Sequence, residues 1–233
     1  VTTWTIARHR VAIAGLVVDA GTGKPISGAH VEIVGKPAAY EEKLALLAAS
    51  LADTASETGV ERPDVARTRA DGLFYFLDLP EGRYRVIAFL PKEGLHTKNV
   101  LSLKSDRTGD PYKAKGDKRY GKAQEEAVVS YNDGLGKLVF LKLQPTGVTG
   151  RVIAAASKAA VLLAEVRVQG SGERAFTDGQ GHYTVAGVHP NQRAKRRLLV
   201  SARGYRTEHL EVMVDEPGAC KKIEDIKLSR EGG

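Results

Sequence analysis

The sequence has a single cysteine, Cys220, among 233 residues. No internal disulfide can form, so the fold stands without oxidative cross-links, which suits a reducing compartment. No histidine lies at a recognisable spacing from Cys220, so it reads as a structural or incidental thiol. Aromatic residues make up 6% of the chain and tryptophan occurs once. Valine, isoleucine, leucine and alanine must therefore fill any core. No apolar run approaches the roughly 20 residues of a membrane-spanning helix. The first ten residues, VTTWTIARHR, lack an apolar centre and a cleavage-like end, so they do not read as a signal peptide. The expectation is a protein of the cytoplasm or of an intracellularly assembled particle, or an extracellular one if a leader was removed.

Catalytic signatures are missing as well. There is no His-Glu-x-x-His, no Gly-x-Ser-x-Gly elbow and no phosphate-binding glycine loop. The six histidines are scattered. His182 and His189 could meet across a hairpin, but a zinc site needs further ligands. The reading is a chain with no catalytic residue, no metal and no cofactor.

What is present is an internal correspondence. Gly15–Gly35, GLVVDAGTGKPISGAHVEIVG, reads as strand, glycine- and proline-bearing turn, strand. The stretch Gly150–Gly170 follows the same design. Gly15, Ala29, Val31, Ile33 and Gly35 match Gly150, Ala164, Val166, Val168 and Gly170 at one constant offset. A second block, Thr68–Leu79, carries an Asp-Gly turn and a strand whose Phe74 and Phe76 face one way and Leu73, Tyr75 and Leu77 the other. It matches Thr177–Val188, with Gly72 on Gly181 and Phe74 on Tyr183. Short strands separated by glycine and proline turns predict a β-sandwich in each half. The first turn of the second half, Ala155–Ala160, lacks the glycines and proline of its counterpart, so a longer or partly helical connection is expected there.

These residues carry a resemblance. Gly15, Val17, Asp19, Gly23, Pro25, Ile26, Gly28, Ala29, Val31, Glu32 and Ile33, followed by Asp71, Gly72, Phe74, Phe76, Leu79, Pro80, Gly82, Tyr84 and Val86, resemble a carboxypeptidase regulatory-like domain. The second half keeps Gly150, Val152, Ala164, Val166, Thr177, Asp178, Gly181, Tyr183, Ala202, Gly204 and Tyr205. The resemblance implies an all-β fold of two tandem Greek-key sandwiches similar to transthyretin, at 1–146 and 147–233. The first would carry insertions at 36–66 and 91–137. It implies accessory domains rather than peptidase activity. Asp71 and Asp178 are expected to cap their turns.

What the halves do not share supplies the candidate contacts. Trp4 and Ile6 lie on an N-terminal arm suited to a sheet edge. Pro37–Ala55 has helical spacing, with Tyr40, Leu44, Leu47 and Leu51 on one face. That face can pack on its own sandwich or dock a partner. The loop Lys104–Lys122 includes Lys113, Lys115, Lys118 and Arg119. A second loop carries Arg193, Lys195, Arg196 and Arg197. With 35 basic against 28 acidic side chains, acidic protein surfaces are the expected partners. Nucleic acid ranks below them, because neither cluster interleaves aromatics with a binding motif. The function read from this is a non-catalytic structural or interaction protein, an accessory subunit of a larger assembly such as a phage-tail-like contractile injection particle. The alternative is carbohydrate binding through Trp4, Tyr112, Tyr120 or Tyr205.

Overall fold

The computed structural model describes residues 9–52, 62–92, 116–132 and 136–231. Trp4, Ile6, Tyr112, Lys113, Lys115 and the side chain of Leu51 lie outside the described residues. The chain divides into two compact units, 1–117 with 122–143, and 118–121 with 144–233.

Among the described residues, the first unit has seven strands in two sheets. Strands β1 (Val11–Asp19), β4 (Leu73–Leu77) and β7 (Lys137–Leu143) form the order β4-β1-β7. β1 runs antiparallel to β4 and parallel to β7. Strands β2 (His30–Gly35), β3 (Val65–Arg67), β5 (Gly82–Phe89) and β6 (Ala123–Val129) form the order β3-β2-β5-β6. Alternation decides which residues face inward. Ile13, Val17, Phe74, Phe76, Val139 and Leu141 come from one sheet, and Val31, Ile33, Tyr84, Val86, Ala127 and Val129 from the other; all are buried. β6, and all of β3 but its last residue, fall inside the stretches that the sequence reads as insertions, yet both are edge strands of the four-stranded sheet.

The helix α1 (Ala38–Ala52) sits between β2 and β3 in sequence. It begins where the periodicity puts it: the Pro37 carbonyl accepts the first helical bonds from Tyr40 and Glu41. Its first turn is seated on its own unit. Tyr40 is buried and meets Tyr84 edge-on, ring centres 5.9 Å apart. Lys36, Arg62, Asp64 and Glu32 tie the same end to β2. Lys36 Nζ and Arg62 Nη2 lie 2.6 and 2.9 Å from Asp64 Oδ2, and Arg62 Nη2 lies 3.1 Å from Glu32 Oε1.

The second unit orders its strands in the same way. β8 (Gly147–Ala154) lies between β11 (His182–Ala186) on one side and β14 (Cys220–Lys222) with β15 (Ile226–Leu228) on the other. β9 (Glu165–Val168), β10 (Arg174–Phe176), β12 (Arg196–Ser201) and β13 (Glu208–Val212) form the order β10-β9-β12-β13. The closing strand is in two pieces, β14 and β15, separated at Ile223–Asp225, and both run parallel to β8. Val148, Val152, Val166, Val185, Leu198, Val200 and Leu228 form its core.

Hydrogen bonds also correspond between the units. The Thr68 hydroxyl accepts from Ala29 N–H and donates to Ile26 O. Thr177 does the same with Ala164 N–H and Val161 O. The first turn of the second unit corrects the expectation of a longer or helical connection. Asp19, Gly23 and Ile26 N–H donate to Lys24, Asp19 and Val17 O; Ala154, Lys158 and Val161 N–H donate to Ala159, Ala154 and Val152 O. Where the first unit has Gly23 and Gly28, with φ of 70° and 71°, the second has Lys158 and Leu163, with φ of 58° and 57°. The turn keeps the same bonds without glycine because two L-residues occupy the left-handed region. Each such residue costs about 1 kcal/mol. Leu163 is 67% exposed, so its side chain holds little packing energy. Leu163→Gly is therefore expected to stabilise the second unit by up to ~1 kcal/mol. Chemical denaturation checks this; a lowered midpoint would refute it.

Candidate docking surface

The outer face of β4-β1-β7 is apolar almost throughout. On β4 the outward residues are Leu73, Tyr75 and Leu77. On β1 they are Ala14, Leu16 and Val18, and on β7 they are Leu138, Phe140 and Lys142. The register lines them up in rows. Tyr75, Ala14 and Leu138 make one row, and Leu73, Leu16 and Phe140 the next. Leu73, Tyr75, Leu138 and Phe140 are 45%, 44%, 56% and 53% exposed. A sheet in a soluble sandwich ordinarily turns polar residues outward, and a contiguous exposed apolar patch marks an interaction site. The charged groups placed here are basic: Lys142 in the row of Val18, and Arg69, whose guanidinium stands 5.1 Å from the Tyr75 ring centre and donates to its hydroxyl. The nine outward positions contain no acid.

The corresponding face of the second unit is polar. Thr149 and Arg151 stand where Ala14 and Leu16 stand, and His182 and Thr184 face them from β11. The Thr149 hydroxyl bonds Tyr183 O and lies 3.1 Å from that of Thr184. The apolar face is thus a property of one unit and not of the shared scaffold.

The basic residues named from sequence meet different fates. Lys118 and Arg119 belong to the second unit. Thr146, fully buried, gathers them: its N–H donates to Arg119 O, its hydroxyl donates to Lys118 O and accepts from Gly218 N–H, and its carbonyl accepts from Val188 N–H. Through Val188 the same threonine anchors the start of the other basic loop. There Arg196 is a structural residue, both Nε and Nη2 donating to His189 O at 3.0 and 2.8 Å. Lys195 and Arg197 share Glu211, at 3.9 and 3.7 Å. Arg193 is exposed, its N–H held by Asn191 Oδ1. Nothing local in the sequence marks Thr146 as a hub.

On the helix, Leu44 and Leu47 are half-buried and Leu46 is 72% exposed. Tyr205 packs against the second core rather than presenting a free ring. Asp71 accepts from Leu73 N–H, and Asp178 from Gln180 and His182 N–H. Those backbone bonds, His182 first, hold the Asp178 carboxyl below its ordinary range. Among the described residues no group of three or more His, Cys, Asp or Glu side chains is placed to hold a metal. Desolvation raises the Cys220 thiol, which weakens it as a nucleophile at neutral pH. No described helix is long and apolar enough to cross a membrane.

The sheet orders define the class: an all-β protein of sandwich type. No protein-family model and no curated protein matches the chain. Among solved structures, the shaft pilin SpaA of Lactobacillus rhamnosus GG aligns with 97% of this chain and 98% of its own, at 12% identity and a TM-score of 0.43. The Bacillus anthracis TIE protein aligns with 95% of this chain and 34% of its own, at 13% identity and a TM-score of 0.36. A type II cohesin–X-dockerin complex of Acetivibrio cellulolyticus aligns with 36% of this chain and 58% of its own, at 19% identity and a TM-score of 0.30.

Proposed function

We propose that this chain is a non-catalytic interaction protein, built from two tandem transthyretin-like Greek-key sandwiches and serving as an accessory subunit of a larger protein assembly. The observation that supports this reading is the outer face of β4-β1-β7. Burying a leucine or phenylalanine side chain that is otherwise wet contributes about 1.5–3 kcal/mol, and two rows of such side chains stand together here. The occupant is a partner protein with an apolar centre and an acidic border. Lys142 and Arg69 favour acids opposite them, and no acid stands among the outward residues to repel them. A second copy of the same face would set Lys142 and Arg69 against like charges in a two-fold contact. A contractile, phage-tail-like injection particle is one setting for such a subunit.

Leu138→Glu with Phe140→Glu tests the reading. Both positions are outward-facing, so the melting temperature should hold. Size-exclusion chromatography of native material should show the wild-type chain in a larger complex and the double variant free. Equal elution of the two, or a wild-type chain that always runs as a free monomer, would remove the proposal.

A further inference from the structure

The outer face of β10-β9-β12-β13 in the second unit carries a pairing that the fold does not require. The register sets Arg174 directly opposite Arg167, and Leu199 and His209 complete that row. Their strand neighbours Val166, Val168, Ala175, Leu198, Val200 and Leu210 pack on the core, so all four side chains of the row point outward. Side chains directly opposite on antiparallel strands stand about 5 Å apart, where like charges repel and destabilise. Arg174 finds partial relief: its Nη1 lies 3.5 Å from Glu165 Oε1. Arg167 is exposed and has no ion-pair or hydrogen-bond partner for its side chain among the described residues. The first unit builds the same row without the conflict. There Glu32 takes the place of Arg167, at the offset that matches Val31 to Val166, and Val65 takes the place of Arg174. Glu32 is answered by Arg62, at 3.1 Å. A sandwich of this design therefore folds with an acid and an apolar residue where the second unit holds two bases.

The neighbouring rows select the ligand. Glu165 stands on one side of the arginine row and Glu211 on the other. A continuous polyanion crossing the face would run over both acids. Separate carboxylates, spaced by uncharged residues, can meet the bases and miss the acids. Each guanidinium presents five N–H donors in a planar fork that fits a carboxylate with two parallel bonds. The fork of Arg167 is unused, and Arg174 keeps donors beyond the one turned to Glu165. Leu199, half-buried beside Arg167, offers apolar contact in the middle of the row. Mixed apolar and arginine contact of this kind is what protein interfaces are enriched in. We infer that this face binds an acidic segment of a partner protein, with carboxylates on Arg167 and Arg174 and an apolar side chain against Leu199. The face lies on a different unit from the apolar sheet β4-β1-β7 and uses none of its residues.

The test uses the full chain and a defined probe, the acetylated and amidated peptide Glu-Leu-Glu-Gly-Glu-Leu-Glu. An NMR titration at low salt should move the backbone amides of Arg167, Arg174 and Leu199, and added salt should weaken the binding. Arg167→Thr should weaken it by about fivefold. The same substitution should leave the melting temperature unchanged or raise it, because it removes a like-charge pair and puts a β-branched residue in a strand. Leu138→Glu with Phe140→Glu should bind the peptide as wild type does, which separates this face from the apolar one. A wild-type chain whose amides do not move with the peptide overturns the inference, as does peptide binding that survives Arg167→Thr unchanged. A thymidine oligonucleotide that binds more tightly than the peptide would also overturn it, by making the face a site for polyanions. So would a clearly lowered melting temperature for Arg167→Thr, since the arginine would then serve the fold.

Discussion

Gly15→Ala is expected to destabilise the first unit by about 3 kcal/mol, although it adds one methyl group to a strand centre. The added Cβ would stand 2.4 Å from Phe74 Cζ and 2.5 Å from the carbonyl oxygen of Val139. The phenyl ring can be moved at a cost. The carbonyl cannot, because Gly15 and Val139 are partners in the β1–β7 ladder. Adding Phe74→Leu should therefore recover only part of the loss. Gly23→Ala is the matched comparison. Its Cβ meets nothing within 4 Å, and it carries only the penalty of a left-handed φ, about 1 kcal/mol. Thermal and urea unfolding of the full chain would measure both. A Gly15→Ala variant as stable as Gly23→Ala would show that the glycine is not required by the ring and the ladder.

The second large effect concerns the charges under the start of α1. Asp64 is 3% exposed and accepts from Lys36 and Arg62. Burial alone would raise its carboxyl, but hydrogen bonds from Arg62 and Lys36 and their charges more than reverse this, and its pKa lies below the ordinary value. The hydrogen bond with His30 and the charge of Arg62 lower Glu32 in the same way, against its own burial. Asp64→Asn leaves two half-buried cations facing a neutral amide. Breaking a buried pair from one side costs about 3 kcal/mol, and that loss is expected at pH 7. The pH dependence has a definite sign. A carboxyl whose folded pKa is depressed binds fewer protons folded than unfolded. Its contribution is complete above the unfolded value, near pH 4, and disappears as pH falls through the folded pKa. Wild type should lose stability steeply below about pH 4, and Asp64→Asn should lose less over the same interval. Urea midpoints from pH 7 to pH 2.5 would decide it, and parallel curves would count against the network.

The parts of this molecule that sequence makes legible are those fixed within a few residues. The Asp-Gly turns, the glycines at Gly15 and Gly150 and the alternation around Phe74 and Tyr183 announce strands and turns directly. So does the helix start at Pro37. Short edge strands are harder. Val65–Arg67 has three residues, and Ala123–Val129 hides its inward Ala123, Ala127 and Val129 behind the run Gln124–Glu126. The docking face was half visible, since Leu73, Tyr75 and Leu77 already stood out as a second apolar side. Its other half needs the register of β1 against β7, strands joined only after most of the first unit has been laid down. Phe140 becomes a neighbour of Leu16 through folding, not through spacing. Thr146 and Asp64 escape for the same reason: their partners come from distant segments, and a lone threonine or aspartate carries no local signal.

The parallel pairing of β1 with β7 decides how the first unit carries a mechanical load. The chain enters β1 at Val11 and leaves β7 at Leu143, and the seven paired residues from Ile13 to Asp19 lie between those points. Because the two strands run in the same direction, entry and exit are at opposite ends of the pair. A pull between them slides β7 along β1. All the bonds of that ladder then bear tension together in shear, where an antiparallel pair held at one end would open like a zip. The same arrangement joins β8 to β14 and β15, but there the break at Ile223–Asp225 shortens each shared run. Of the two units, the one with the apolar face also has the longer continuous shear ladder.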